Sequence, residues 1–250
     1  MEAPDPLRGP HLKLDWAKYH IDQFQILLTR IVSEHVDTVT VEPDSDPNRL
    51  LCVANDPFKL PEHLPLVVGD AVHNLRSAWD HLAVLLVDPQ GQTGLKVQFP
   101  FASTFGKFKK RLKGYGFIER CSPAVVSAIY GLKPYANNGG NEEFFALHDL
   151  DILDKHRLII AVADPEAVLP MVWIEENEVR TGTFTFTPEN GRYVCRVPAS
   201  GSVKLNQNFS PGLGVIFGDG MPLAGKSILK SLYSLFNFSR YGIDFFARFL

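Results

Sequence analysis

The sequence predicts an α+β fold: a helical bundle with a small N-terminal β-hairpin and a C-terminal antiparallel β-meander, closing on a long terminal helix. Three observations predict it. Apolar residues recur at helical spacing over most of 11–163, β-branched and polar residues alternate over 168–218, and a Leu- and Phe-rich helical pattern covers 225–250. Residues 1–10 are acidic and proline-rich, so we expect a mobile tail there and one domain over 11–250.

The overall composition excludes several classes of protein. The chain has 250 residues, of which 45% are hydrophobic, and a formal net charge of −3. These values exclude global disorder and a polycation that coats nucleic acid. No apolar run approaches the ~20 residues of a membrane helix, and no secretory leader is recognisable at the start. We therefore expect a cytoplasmic protein with no cofactor and no membrane partner; its apolar helices could pair two copies into a homodimer.

The individual elements follow from local patterns. Alternation at 36–42 and an apolar run at 50–54 predict the hairpin. Asn141 is expected to cap a helix, because its side chain can accept hydrogen bonds from amides of the first turn. Asn190 and Gly191, between alternating runs, predict a turn of the meander. Helices are predicted at 12–35, 61–87, 103–113, 122–131 and 142–163, and Trp16 in the first of them is expected in the core.

Two of these helices carry ion pairs on one face. Arg76 and Asp80 are four residues apart on the first, and Asp151 and Lys155 have the same spacing on the second. At 100° per residue each pair occupies one side of its helix. We expect the two pairs to face each other in a four-charge network across the seam between the helices.

Other polar residues surround this expected network. His81 and His156 should flank it, and the nearby supporting residues are His73, Asn74, Asp154 and Arg157. Such a network can fix the register of two helices, since buried ionic clusters often provide specificity. It can also be a functional pocket, since crowded ionisable groups acquire the perturbed pKa values that catalysis uses. The sequence leaves both interpretations open.

Two resemblances bear on the choice. The run NLRSAWDH at 74–81 and DKHR at 154–157 resemble motifs of a family of uncharacterised bacterial proteins, over about residues 60–250. Separately, Arg76-x4-His81 on a helix resembles the R-x4–6-H motif of HEPN-domain ribonucleases, which are helical, usually dimeric and metal-independent. That resemblance implies that His81 activates the ribose 2′-hydroxyl and that Arg76 stabilises the phosphorane. The C-terminal meander departs from a plain HEPN bundle.

The function that the HEPN resemblance implies is a metal-independent, HEPN-like ribonuclease. His81 would be the base and His156 the acid, while Arg76 and Lys155 would hold phosphate. Cations interleaved with aromatics suit single-stranded nucleic acid, and five such cations lie close together: Lys107, Lys109, Lys110, Arg111 and Lys113. The alternative is a non-catalytic protein in which the charged cluster is structural and the lysines form a solvated helix face.

Three further functions have weaker support in the sequence: nucleotide binding, serine hydrolysis and metal binding. The stretch 220–227 matches G-x-x-x-x-G-K-[ST], but Pro222 removes an amide and too little chain follows for a βαβ sheet, so a flexible turn is favoured. Ser77 has His73 one turn earlier but no nucleophile elbow, which disfavours a serine hydrolase. A metal site is opposed by the cations among the candidate ligands, which are His73, Asp80, His148, Asp151 and His156.

Overall fold

The architecture is that of an α+β protein, as predicted. The computed structural model describes residues 5–35, 39–54, 60–90, 94, 96–163, 167–175, 178–190, 192–199, 201–205 and 214–250. The helices in these residues are α1 (Arg8–His35), α2 (Leu64–Val87), α3 (Phe105–Gly114), α4 (Phe117–Arg120), α5 (Pro123–Leu132), α6 (Glu142–Asp154) and α7 (Ile228–Phe246). The strands are β1 (Val39–Pro43), β2 (Arg49–Ala54), β3 (Ala161–Ala163), β4 (Ala167–Glu175), β5 (Glu178–Glu189), β6 (Arg192–Pro198), β7 (Gly201–Leu205) and β8 (Val215–Phe217).

Helix α2 is the centre of the helical layer and packs against α1, α6 and α7. Most of its apolar residues form a wide buried face, although Leu66 and Val84 are exposed, and this burial stabilises a helix of this length. Polar contacts show that α1 runs antiparallel to it: Lys13 Nζ donates to Asn74 Oδ1 at 3.1 Å, and His20 lies 3.8 Å from a carboxylate oxygen of Asp70. One side of α2 therefore faces α1, and another faces α6.

Trp79 anchors α2 to the terminal helix. Its ring is fully buried between aromatic rings that include Phe99 and Phe144, and its Nε1 donates to the buried Ser239 Oγ at 2.9 Å. Gly242 lies against the indole, where an added Cβ would be 2.6 Å from the Cη2 atom. The close approach of α7 to α2 thus depends on the missing side chain at Gly242.

We expect Gly242→Ala to destabilise the protein by about 1–3 kcal/mol, because the new methyl group overpacks a rigid, fully buried indole. This loss should exceed the gain of up to about 1 kcal/mol that alanine brings inside a helix. Urea denaturation measures the change. Gly106→Ala is the matched control, because nothing lies within 4 Å of an added Cβ there; equal stability changes in the two variants would contradict the packing account.

The predicted hairpin and meander belong to one sheet. Six strands pair in the order β1-β2-β6-β5-β4-β7, all antiparallel. Strands β2 and β6 join the hairpin to the meander, with Cys52 opposite Cys195, and both side chains enter the helical core. Strands β3 and β8 form a separate antiparallel pair just before α7. The turn residue Gly191 lies outside the described residues.

Three local predictions were wrong. The described part of the expected tail, 5–10, is ordered: α1 begins at Arg8 and Leu7 is 3% exposed. The helix expected over 142–163 ends at Asp154, because the apolar and β-branched residues beyond it join the β3–β8 pair. Trp16, expected in the core, is 55% exposed on α1 and stacks on Tyr19.

The described helices were also assessed as membrane spans. None of them is both long and apolar enough to cross a membrane.

Candidate functional site

The seam between α2 and α6 carries most of the charged residues singled out in the sequence. The carboxylate of Asp154 on α6 lies against Gly69 of α2, where an added Cβ would be 2.3 Å from Asp154 Oδ1. Helix α6 begins after Asn141, whose side chain accepts a hydrogen bond from the Phe144 amide at 3.0 Å, as predicted. The cap marks where α6 begins, and the absent side chain at Gly69 leaves room for the Asp154 carboxylate on the surface of α2.

Arg76 is the buried centre of this seam. Its side chain is 5% exposed, and Nη1 lies 2.5 Å from Asp80 Oδ1 in an ion pair whose angle falls outside hydrogen-bond geometry. Asp80 Oδ1 also accepts a hydrogen bond from the Phe99 amide at 2.8 Å. The guanidinium carbon lies 4.6 Å from the ring centre of Phe101, a cation–π contact. Arg76 is therefore enclosed by protein groups rather than open to a ligand.

His148 accepts a hydrogen bond from this guanidinium. Arg76 Nε donates to His148 Nδ1 at 3.3 Å, and the imidazole lies parallel to the Phe101 ring, with ring centres 5.5 Å apart. Burial, reinforced by the charges of Arg76 and Arg111, lowers the pKa of His148 to about 4. The ring is therefore neutral at pH 7, the form in which Nδ1 can accept a hydrogen bond.

We expect His148 to make the protein less stable in mild acid than at neutral pH. Its pKa of about 4 lies below the ordinary value of 6.5, so the unfolded chain binds more protons between these values. Stability therefore rises with pH across this window, and at pH 5 the loss is about 2 kcal/mol. Urea titrations at pH 7 and pH 5 should show a smaller acid loss in His148→Asn, whereas the exposed His156→Asn should match the wild type. Equal losses in all three proteins would contradict this assignment.

The other half of the seam is open and contains a polar relay. His73 Nδ1 lies 2.9 Å from Asp151 Oδ1; the Asp151 side chain is 4% exposed and that of His73 is 49% exposed. Because the carboxylate can only accept, the proton of a neutral His73 lies on Nδ1 and Nε2 is an acceptor. Nε2 lies 3.4 Å from Ser77 Oγ. Lys155 Nζ donates to the second oxygen of Asp151 at 2.6 Å.

The expected four-charge network is therefore present only in part. Both i,i+4 ion pairs form within their helices. The expectation that they face each other was wrong, since no ion pair joins Arg76 to Asp151 among the described residues. Histidines make the cross-seam contacts instead, His73 with Asp151 and His148 with Arg76. Helical angles give the side on which a residue lies, but not the relative height of two helices.

The two histidines predicted to flank the network lie elsewhere. His81 faces the first turn of α1, where an added Cβ on Gly9 would be 3.0 Å from its Nδ1. His156 lies past the end of α6 and lines an open pocket with Arg157 and the 220–224 loop. The Arg76–His81 pair of the HEPN resemblance is thus divided between two sides of α2. The catalytic roles of His81 and His156 stay predictions.

The remaining supporting residues have structural contacts. Asn74 is 6% exposed; its Nδ2 donates to the Asp70 carbonyl at 2.8 Å, and its Oδ1 accepts from Lys13. It therefore ties α2 to α1 rather than to α6. Burial, followed by the nearby charges of Asp151 and Asp70, raises the pKa of Asp154, which disfavours its charged form.

The basic stretch forms α3 and divides into two parts. Lys107, Lys109, Lys110 and Lys113 are exposed, as a solvated face or a nucleic-acid surface requires. Arg111 points inward, and its Nη1 donates to the Phe101 carbonyl. The lysine face is therefore anchored beside the ring that Arg76 and His148 share.

The structure supports neither a phosphate-binding loop at 220–227 nor a metal site in the residues that it describes. Four amides within 221–226 donate to carbonyls of 217–223, so the loop bonds to itself instead of offering amides to phosphate. Lys226 is exposed and lies 4.0 Å from Glu143 Oε1. Among the residues that the structure describes, no group of three or more His, Cys, Asp or Glu side chains is placed to hold a metal ion.

Sequence reasoning did not predict the contacts that Ser77 and His148 make in the structure. Ser77 follows His73 by four residues on one helix, a spacing that brings two side chains together, but no nucleophile elbow accompanies this spacing in the sequence. His148 gave no comparable signal, because its partners Arg76 and Phe101 come from distant parts of the chain.

Comparisons with protein-family models, with curated proteins and with solved structures found no match for this chain. The two resemblances drawn from short motifs therefore stay predictions, and the function has to be inferred from the α2–α6 seam itself.

Proposed function

We propose that the chain is a metal-independent hydrolase of carboxylic esters in which Ser77 is the nucleophile, His73 the general base and Asp151 its positioning residue. The proposal is carried by one observation, the continuous relay from Ser77 Oγ to His73 Nε2 at 3.4 Å and from His73 Nδ1 to Asp151 Oδ1 at 2.9 Å. Hydroxyl, imidazole and carboxylate in this order activate serine on unrelated folds, where geometry and not sequence position defines the relay.

The reaction needs only groups at the open half of the seam. Ser77 Oγ attacks the ester carbonyl carbon while His73 Nε2 takes its proton; the same proton then passes to the leaving alkoxide as the acyl–oxygen bond breaks. A water molecule then attacks the acyl-enzyme carbonyl carbon while His73 Nε2 takes its proton. That proton passes to Ser77 Oγ as the bond between Ser77 and the acyl group breaks, and the carboxylic acid is released. Lys155, half-exposed and bonded to Asp151, can attract the negative charge that develops on the carbonyl oxygen. Catalytic hydrogen bonds are commonly long before substrate binds, which fits the 3.4 Å contact.

The difference in side-chain exposure between the two halves of the seam supports a catalytic site over a purely structural one. The Arg76 side chain is 5% exposed and surrounded by its partners, as expected of a group that holds helices together. His73 is 49% exposed, although its partner Asp151 is only 4% exposed. The buried carboxylate of Asp151 orients the His73 ring, and the exposed part of that ring can contact a substrate. The burial of Arg76 thus supports a structural role for one half of the seam, and the exposure of His73 supports a functional role for the other.

We expect the purified protein to hydrolyse p-nitrophenyl acetate in EDTA, and Ser77→Ala or His73→Gln to lower kcat by roughly 10³-fold or more. The controls are Ser127→Ala and His156→Gln, which remove an exposed serine and an exposed histidine outside the relay. Absence of hydrolysis by the wild type, or equal rates in Ser77→Ala and Ser127→Ala, would overturn the proposal.

A ribonuclease is the second candidate, and the lysine face of α3 anchored beside Phe101 favours it. In this version His73, not His81, would abstract the 2′-hydroxyl proton, and Lys155 would contact phosphate. The same variants distinguish the two functions. Cleavage of RNA in EDTA to 2′,3′-cyclic phosphate ends, lost in His73→Gln but kept in Ser77→Ala, would favour the ribonuclease.

A further inference from the structure

A small, partly open cavity lies between the first turn of α1 and the C-terminal half of α2. It encloses about 230 Å³ and is lined by Gly9, Pro10, His81, Val84 and Leu85. Apart from the imidazole, the lining is apolar. Cavities near 150 Å³ accommodate a benzene molecule, so this one has room for a short alkyl chain.

The cavity is one helical turn from the proposed nucleophile. His73, Ser77, His81 and Val84 follow one another at intervals of four, four and three residues on α2, and each retains solvent exposure. This spacing keeps them on one side of a helix. Four residues at 1.5 Å each separate Ser77 from His81 by roughly 6 Å along the axis, which is the length of a few carbon–carbon bonds.

The imidazole in the wall does not make the cavity charged. Burial, reinforced by the positive charge of Lys13, lowers the pKa of His81, while Asp80 raises it by a smaller amount. His81 is therefore predominantly neutral at pH 7. The absent side chain at Gly9 leaves room for this ring, since an added Cβ would approach its Nδ1 to 3.0 Å.

We propose that this cavity is the acyl subsite of the hydrolase, and that its substrates are esters of short, unbranched fatty acids of about four to six carbons. The inference rests on the proposed function, because it assigns the cavity to the acyl chain of the ester that Ser77 attacks. An acyl chain entering the cavity leaves water for an apolar lining. Each buried methylene should raise kcat/KM by roughly fourfold until the cavity is full.

The test compares p-nitrophenyl acetate, butyrate, hexanoate and decanoate in the wild type and two variants. The wild type should show kcat/KM rising from acetate to hexanoate and falling for decanoate, which is too long for the cavity. Val84→Phe fills the cavity from a side chain that is 40% exposed, and should lower the hexanoate-to-acetate ratio about tenfold or more. Val84→Ala widens it and should move the optimum towards decanoate. Val126→Phe, on α5 and outside this cavity, is the control and should keep the wild-type profile.

The outcomes separate this inference from the proposed function. If the wild type hydrolyses acetate but Val84→Phe and Val84→Ala keep the wild-type chain-length profile, the acyl subsite is wrong and the relay stands. If the wild type hydrolyses none of the four esters, the proposed function fails and the subsite fails with it. A changed profile in Val84→Phe or Val84→Ala, with an unchanged one in Val126→Phe, supports the subsite.

Discussion

Replacing Asp151 by asparagine should lower kcat for p-nitrophenyl acetate by about 10⁴-fold at pH 7. The carboxylate holds His73 with its proton on Nδ1 and its acceptor nitrogen towards Ser77. An amide can present its NH₂ group to Nδ1 and select the opposite tautomer, which places a proton between the base and the nucleophile. It also removes the negative charge that stabilises the imidazolium formed during the reaction.

This substitution should separate catalysis from folding. Lys155, the other partner of Asp151, is 48% exposed and can be solvated when the carboxylate is lost, so the melting temperature should fall by only a few degrees. KM should stay near the wild-type value, because Asp151 is buried beneath His73 and positions the base. Asp149→Asn, at an exposed position of the same helix, is the control. A fall in kcat no larger than that of the control would remove Asp151 from the relay.

Replacing Arg76 by methionine should destabilise the protein by about 3 kcal/mol, because removing one partner of a buried ion pair leaves the other uncompensated. Among the residues that the structure describes, Asp80 would keep only the Phe99 amide as a partner, and His148 Nδ1 would lose its donor. The partial exposure of Asp80, 30% of its side chain, places the effect at the low end for buried pairs. Urea denaturation gives the value directly.

A double variant tests whether the loss of the Arg76–Asp80 ion pair causes the fall in stability. Adding Asp80→Asn to Arg76→Met removes the uncompensated charge and should restore about 1 kcal/mol, a non-additive result expected of contacting residues. Lys110→Met, an exposed cation of α3, should change stability by less than about 0.5 kcal/mol. If Arg76→Met were as mild as Lys110→Met, the buried half of the seam would not hold the helices together.

Local pattern was enough to predict most of the helical layer. The apolar face of α2 is continuous, so the helix expected over 61–87 is observed at Leu64–Val87. The helix expected over 142–163 instead ends at Asp154, because the apolar run beyond it pairs with β8, a strand that lies more than 50 residues later. A segment whose partner is so distant cannot be assigned from its own periodicity.

The candidate site shows the same limit. The i,i+4 pair Arg76–Asp80 was predictable because both residues belong to one helix. The contact between His73 and Asp151 joins residues 78 positions apart, and it depends on the height at which α6 crosses α2. That height follows from the tertiary packing of the two helices, which no spacing argument contains.

Labelling of Ser77 by a fluorophosphonate tests the central claim most directly, because such reagents react with activated serines and need no knowledge of the substrate. The protein is treated in EDTA, digested and mapped by mass spectrometry, alongside His73→Gln and the control His156→Gln. The account predicts one adduct on Ser77 in the wild type and in His156→Gln, and none in His73→Gln. No adduct on Ser77 in the wild type, or an adduct formed equally fast in His73→Gln, would contradict it.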